Sequence, residues 1–433
     1  GKVGETKTVD DLGATLVEFK NGVRLNLKPT DFEAGRIRVS VRVGGGTLTL
    51  PHDERGLDLL ANVAFTTGGL GKHSVDDLQR LLAGKTIGLG FGAQADAFTF
   101  SGTTNRDDLL LQLQLFCAYL TDPGYRPESL RQVHKAADQI YLRLAHTPDG
   151  PLELEVANLL AGGDPRFGLP PKDVLLGRTL DELKAWLAPQ FAKGPIEVAI
   201  VGDFDPQATT AAVAQTFGAL PKRQKKPGYE DARQVAKLAA PVAKQYTVES
   251  EIPKALVRLY WPATDSRDVK LARRLRLLSD VFADRLRVRI REELGGTYSP
   301  NTASDLSDTY PGYGYLIADA TVAPDDTRRI ADAIKAVATA LHDGGVTAEE
   351  LVRAKQPVLT ALRESSRTNG YWLGSVLAAA QEFPERLDWS RTRYSDNESV
   401  TTEELSKLAK QYLDPAQASE FIVVPVPPKP VGP

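Results

Sequence analysis

The feature that most limits what this chain can fold into is an internal repeat, spaced between 218 and 222 residues. Leu120-Thr-Asp-Pro-Gly-Tyr-Arg-Pro-Glu128-Ser-Leu130 has a counterpart 221 residues on, in Leu341-His-Asp-Gly-Gly-Val-Thr-Ala-Glu349-Glu-Leu351. Each reads as a turn that caps a following helix, over 134–145 and 351–363. Thr179-Leu-Asp-Glu-Leu183 matches Thr401-Thr-Glu-Glu-Leu405 at 222, and both are helix starts with Thr at N-cap and carboxylates in the first turn. Leu59-Leu-Ala-Asn-Val63 parallels Leu277-Leu-Ser-Asp-Val281 at 218. Three matches in one order, with a slowly drifting offset, read as a duplicated domain with small loop insertions. A chain of 433 residues also exceeds the ~250–300 that one hydrophobic core serves. The expected organisation is one domain over 1–222, a polar proline-flanked linker over 223–240, and a second domain over 241–433.

Within each copy the elements alternate in kind. Thr15-Leu-Val-Glu-Phe, a turn at Asn21-Gly22 and Val23-Arg-Leu-Asn-Leu form a hairpin signal. Ile37 to Val43 alternates apolar and polar, as a half-buried strand does. Helical patterns follow near 56–66, 75–82 and 107–120, with a strand at Ala97-Phe-Thr-Phe-Ser. The second copy repeats the scheme with strands at 255–261 and 312–320, a long helix to Leu294 and a helix over 325–342. The fold class is therefore α+β: two duplicated α/β-sandwich domains, each a mainly antiparallel sheet packed with helices.

Composition removes several functions. Fifty-three Lys and Arg against 56 Asp and Glu leave a net charge of −3, which argues against attraction to nucleic acid. The single cysteine, Cys117, excludes an intrachain disulfide and any multi-cysteine metal site. No apolar run approaches the ~18 residues that span a bilayer. The chain opens Gly-Lys-Val-Gly-Glu-Thr with no Met and reads as an excised or processed piece. No two of its five histidines stand four apart, so no helix presents a two-His zinc face. Gly84-Lys85-Thr86 lacks the first glycine of a phosphate loop, Gln79 standing in its place.

One constellation remains. Arginines 273, 274, 276, 285, 287, 289 and 291 stud a Leu/Val-patterned helix, and interspersed carboxylates make this a solvated face rather than a nucleic-acid stripe. That helix stops at Gly295-Gly296, and Thr297-Tyr298-Ser299-Pro300 follows. Arg291 and Tyr298 can meet across this helix–turn–strand corner, and their N–H and O–H donors would suit a peptide carbonyl or the oxyanion formed from it. Residue chemistry alone favours the plainer reading, an arginine paired with a surface carboxylate beside a half-buried tyrosine.

Ile290-Arg291-Glu-Glu-Leu-Gly-Gly-Thr-Tyr298-Ser299 resembles the Arg…Gly-x-x-Tyr-Ser segment of M16 metallopeptidases, the pitrilysin, insulinase and mitochondrial processing peptidase group. Phe19-Lys-Asn-Gly-Val-Arg-Leu-Asn-Leu-Lys-Pro29 resembles that family's opening hairpin, and the two-copy layout agrees. M16 enzymes carry His-x-x-Glu-His on the first helix of the catalytic half and a further Glu downstream. Aligned on Gly56-Leu57, those positions hold Leu59, Asn62 and Val63, and the downstream one holds Gln139. The resemblance therefore implies a non-catalytic, C-terminal-type half or a separate subunit. It implies no cofactor in this chain, zinc in a partner half, a peptide substrate, and Arg291 and Tyr298 as substrate contacts. The run Gly68-Gly-Leu-Gly-Lys-His73-Ser resembles bacterial two-half zinc proteases and implies the periplasm. The alternative within the same fold is a structural or assembly protein with no part in proteolysis.

Overall fold

The computed structural model describes residues 1–225, 228–294 and 299–427, and the chain forms two compact units. Unit 1 comprises Gly1–Asp138, Pro170–Ala232 and Arg363–Thr392. Unit 2 comprises Gln139–Leu169, Arg233–Leu362 and the chain from Arg393. Two stretches, 139–169 and 363–392, each pack into the unit built mainly from the other end of the chain. No periodicity marks this exchange, because an amphipathic segment does not record which sheet its apolar face covers.

Unit 1 is built on a seven-stranded sheet of β1 (Val3–Val9), β2 (Ala14–Phe19), β3 (Arg24–Pro29), β4 (Ile37–Val43), β5 (Gly90–Ala93), β6 (Phe98–Thr104) and β7 (Ile196–Gly202). Their order is β1-β2-β3-β7-β4-β6-β5, with β3 and β7 parallel and every other pair antiparallel. The β2–β3 turn forms where Gly22 takes φ 89°. Asn21 fixes it by donating its amide to the carbonyls of Phe217 and Leu220. Strand β4 alternates buried and half-buried residues, whereas β7, between β3 and β4, is buried at every position. That is the difference between a strand with one wet face and one covered on both.

Helices Leu57–Thr67, Leu109–Thr121 and Leu180–Lys193 cover one face of this sheet. Phe65 is the hub of that core, with ring centroids 4.3 Å from Phe91, 5.4 Å from Phe191 and 6.0 Å from Phe100. Residues 369–387 cover the other face, through Val376, Leu377, Ala380 and Leu387.

Unit 2 has five strands, β8 (Ala243–Glu249), β9 (Ala255–Pro262), β10 (Asn301–Leu306), β11 (Gly314–Val322) and β12 (Ser419–Val426), in the order β10-β11-β9-β12-β8. Only β12 and β8 run parallel. Helices Val269–Leu294, Thr327–Gly344 and Thr402–Tyr412 build the core on one face, where Trp261 meets Phe282 edge-on at 5.7 Å. Leu152, Val156 and Leu160 cover the other face. The Thr179 cap forms a full capping box with Glu182, and Thr401 forms one with Glu404.

Two details differ from the sequence reading. Arg223, inside the basic linker, is buried, with its backbone N–H on the Asn21 carbonyl at 2.7 Å and its guanidinium on that of Phe191 at 2.5 Å. Nor is the arginine-rich helix face simply solvated. Arg273 and Arg274 both donate to Asp396, at 3.0 and 2.9 Å, and Arg285 clamps Glu350 with two bonds. These carboxylates lie more than 60 residues away, so the pairing is invisible to any local window.

Candidate functional site

The helix that carries the metal-aligned positions begins after Gly56, whose φ of 97° only glycine adopts without strain. Its buried side holds Leu57, Leu60, Ala61, Ala64 and Phe65. Leu59 and Val63, four apart, are half-buried on another face, and Val63 packs against the unit 1 core. Asn62 is exposed, and its Oδ1 accepts the backbone N–H of Ala93 at 2.8 Å. Leu59 and Val63 have no donor atom for a metal, and the amide oxygen of Asn62 is already committed to the sheet. Gln139 is exposed on the helix Glu128–Ala145, and is the first residue of that helix assigned to unit 2. It lines an open groove of about 580 Å³ with Leu142, Arg143, His146 and Ile252.

Among the described residues no group of three or more His, Cys, Asp or Glu stands close enough to hold a metal ion. The residues present do not fit zinc. Two of the histidines and the cysteine are engaged or suppressed. His146 Nδ1 lies 2.6 Å from the Glu249 carbonyl oxygen, and His342 Nδ1 lies 2.6 Å from Asp343. Burial pushes the Cys117 thiol up to about 12, the wrong direction for a nucleophile.

Arg291 sits in the last turn of the helix Val269–Leu294, exposed, directly after the fully buried Ile290. The buried neighbour fixes the helix rotation and leaves the guanidinium on the solvent side. Tyr298 lies outside the described residues, so its distance from Arg291 does not enter the geometry. The chain resumes at Ser299 and enters β10, where Thr302 Oγ1 donates to the Ser279 carbonyl of the same helix at 2.7 Å. That bond ties the start of β10 to the middle of the helix, twelve residues before Arg291.

Sequence reasoning missed two polar features. One is the Asn62–Ala93 bond. The other is Glu197, a carboxylate 1% exposed as the second residue of an otherwise apolar strand. An acid inside the run Ile196-Glu-Val-Ala-Ile-Val was the available signal, since a buried charge demands partners.

A family model described as the peptidase M16 inactive domain matches residues 178–358. Over those residues the chain is similar to the M16 peptidase family. The stromal processing peptidase of Pisum sativum chloroplasts is 24% identical, over 88% of this chain and 34% of its own length. This chain therefore spans about a third of the length of the curated relatives it matches. Among solved structures, the periplasmic protease PqqL from Escherichia coli superposes with a TM-score of 0.81 at 18% identity, over 98% of this chain and 47% of PqqL. The peptidase M16 inactive domain from Pseudomonas fluorescens gives 0.80 at 20% identity, over 96% of this chain and 100% of that one. These likenesses establish the M16 fold, two mixed sheets packed with helices. No helix among the described residues is long and apolar enough to cross a membrane.

Proposed function

We propose that this chain is the non-catalytic half of an M16 zinc metalloendopeptidase, a duplicated unit that closes a peptide-binding chamber against a zinc-bearing partner half. The observation that carries this reading is the state of the metal-aligned helix. It keeps its place against the sheet, yet Leu59 and Val63 offer no ligand and Asn62 is spent on Ala93. The partner half supplies the metal chemistry. This chain contributes binding surface and two donors, Arg291 and Tyr298, to the substrate backbone and to the oxyanion that forms on attack.

The exposed Arg291 at the end of a rigidly packed helix supports that role, because a substrate contact must be both accessible and held. The intact Arg291…Tyr298-Ser299 segment favours this reading over a purely structural protein, which has no need of such donors. By the same resemblance the working compartment is the bacterial periplasm.

The test is reconstitution. Alone, the purified chain leaves unfolded peptides uncut. Mixed with, or fused to, a half carrying His-x-x-Glu-His, it restores hydrolysis. Cleavage by the isolated chain that survives a chelator, or a partner half fully active without this chain, rejects the proposal.

A further inference from the structure

Each sheet has one face that its own half leaves uncovered, and that face is taken by a segment of the other half. In unit 1 the occupying segment is pinned by a buried carboxylate. Glu197 accepts the backbone N–H of Gln381 at 2.7 Å and that of Glu382 at 3.1 Å, and also the side-chain amide of Asn26 at 2.6 Å. Asn26 in turn donates to the Leu377 carbonyl at 2.7 Å. Gln381 returns the contact by donating to the Asn26 side chain at 2.8 Å. Further out, the Lys28 ammonium stands 4.1 Å from the Trp372 ring centre, and Arg391 makes a bidentate pair with Asp11 at 2.6 and 2.9 Å. Apart from the Asn26–Glu197 bond, which lies within the first sequence half, these contacts join that half to residues 372–391.

Unit 2 shows the reciprocal arrangement with different chemistry. Leu152, Val156 and Leu160 lie on the outer face of its sheet, where Tyr315 Oη donates to the Leu160 carbonyl at 2.7 Å. Both occupying segments contain a π-helical turn, Leu152–Val156 and Trp372–Leu377. The wider turn resets which side chains face the sheet.

We infer that the outer sheet faces are docking surfaces for these exchanged arms, and that the arms, not the linker, hold the two sequence halves together. The covalent link across residues 225–228 is then dispensable once the chain has folded. The apolar contacts are buried and the carboxylate bonds are desolvated, so the association resists salt as well as dilution.

The experiment inserts a specific protease site between Lys225 and Gly228 and cuts the folded chain to completion. The nicked protein is expected to elute as one particle of the intact 47.0 kDa size, at low salt and in molar salt. Separation into two fragments under native conditions overturns the inference. A second measurement removes any contribution from other surfaces. Glu197→Gln keeps the volume of the side chain but offers the Gln381 and Glu382 amides a weaker, uncharged acceptor. Dissociation of the nicked variant on dilution is expected to be at least tenfold faster than that of the nicked parent. An unchanged rate, with both proteins equally folded by circular dichroism, shows that the arm is not what holds the fragments and equally overturns the inference.

Discussion

Asn62 Oδ1 accepts the N–H of Ala93 at 2.8 Å, which ties the metal-aligned helix to the edge strand of its own sheet. The direction of that N–H follows from the hairpin. Gln94 donates to the Ala97 carbonyl at 2.9 Å, so Ala93 and Phe98 form the next, non-bonded pair, and the Ala93 amide points away from β6. An outward amide on an edge strand would otherwise be open to water or to another strand. The bond is a solvent-exposed one, worth about 1 kcal/mol. Asn62→Ala is expected to speed hydrogen exchange at Ala93 roughly fivefold, while core amides of β7 stay protected. Equal exchange in both proteins would show the bond to be idle in solution.

The substrate-contact proposal rests on Arg291 and Tyr298. In the assembled enzyme, Arg291→Ala and Tyr298→Phe are each expected to lower turnover by roughly 10²–10³ while zinc content stays at the parent level. Metal analysis alongside steady-state kinetics separates loss of a donor from loss of the centre. Turnover unchanged in both variants would remove these residues from the mechanism.

Phe65 joins the metal-aligned helix to two strands, two other helices and the loop at Tyr125 through five aromatic neighbours. Phe65→Ala leaves a cavity at this convergence and is expected to cost unit 1 about 3–5 kcal/mol, read from its urea midpoint. A loss below ~1 kcal/mol would mean that the neighbouring rings collapse into the space.

Asp396 gives unit 2 an acid-sensitive joint. Burial alone would raise its carboxyl, but hydrogen bonds from Arg274 and Arg273 outweigh burial and hold it below the usual range. A depressed folded-state value means that the stabilisation is complete above the ordinary carboxylate value near ~4 and is lost as pH falls through the folded one. The denaturation midpoint of unit 2 should therefore decline on acidification below about pH 4, and Asp396→Asn should flatten that part of the profile. At neutral pH the same variant leaves two arginines short of their anion and should cost about 3 kcal/mol. A parallel pH profile in parent and variant would assign the acid sensitivity elsewhere.

Local pattern made much of this molecule readable. Alternation predicted β4, Asn21-Gly22 predicted the β2–β3 turn, and the Thr179 and Thr401 caps predicted two helix starts, because each depends on residues within one or two turns of chain. Short or polar strands escaped. β1 is exposed over most of its length and β5 is four residues of Gly, Phe, Gly and Ala, so neither carries an apolar period, and only pairing with β2 or β6 makes them strands. That Leu59 and Val63 offer no metal ligand was legible, since a side chain without a donor atom cannot bind zinc in any conformation.

What the amino-acid order determined by itself was the set of local elements, their caps and the absence of ligands at the metal-aligned positions, all properties of side chains and near neighbours. Only the tertiary structure decided that Asn62 would close on Ala93, that Asp396 would sit between two arginines of a distant helix, and that residues 139–169 and 363–392 would cross to the other unit's sheet. Those outcomes depend on which apolar faces and buried polar groups meet in three dimensions, and a hydrophobic face or a carboxylate is written in the sequence without the address of its partner.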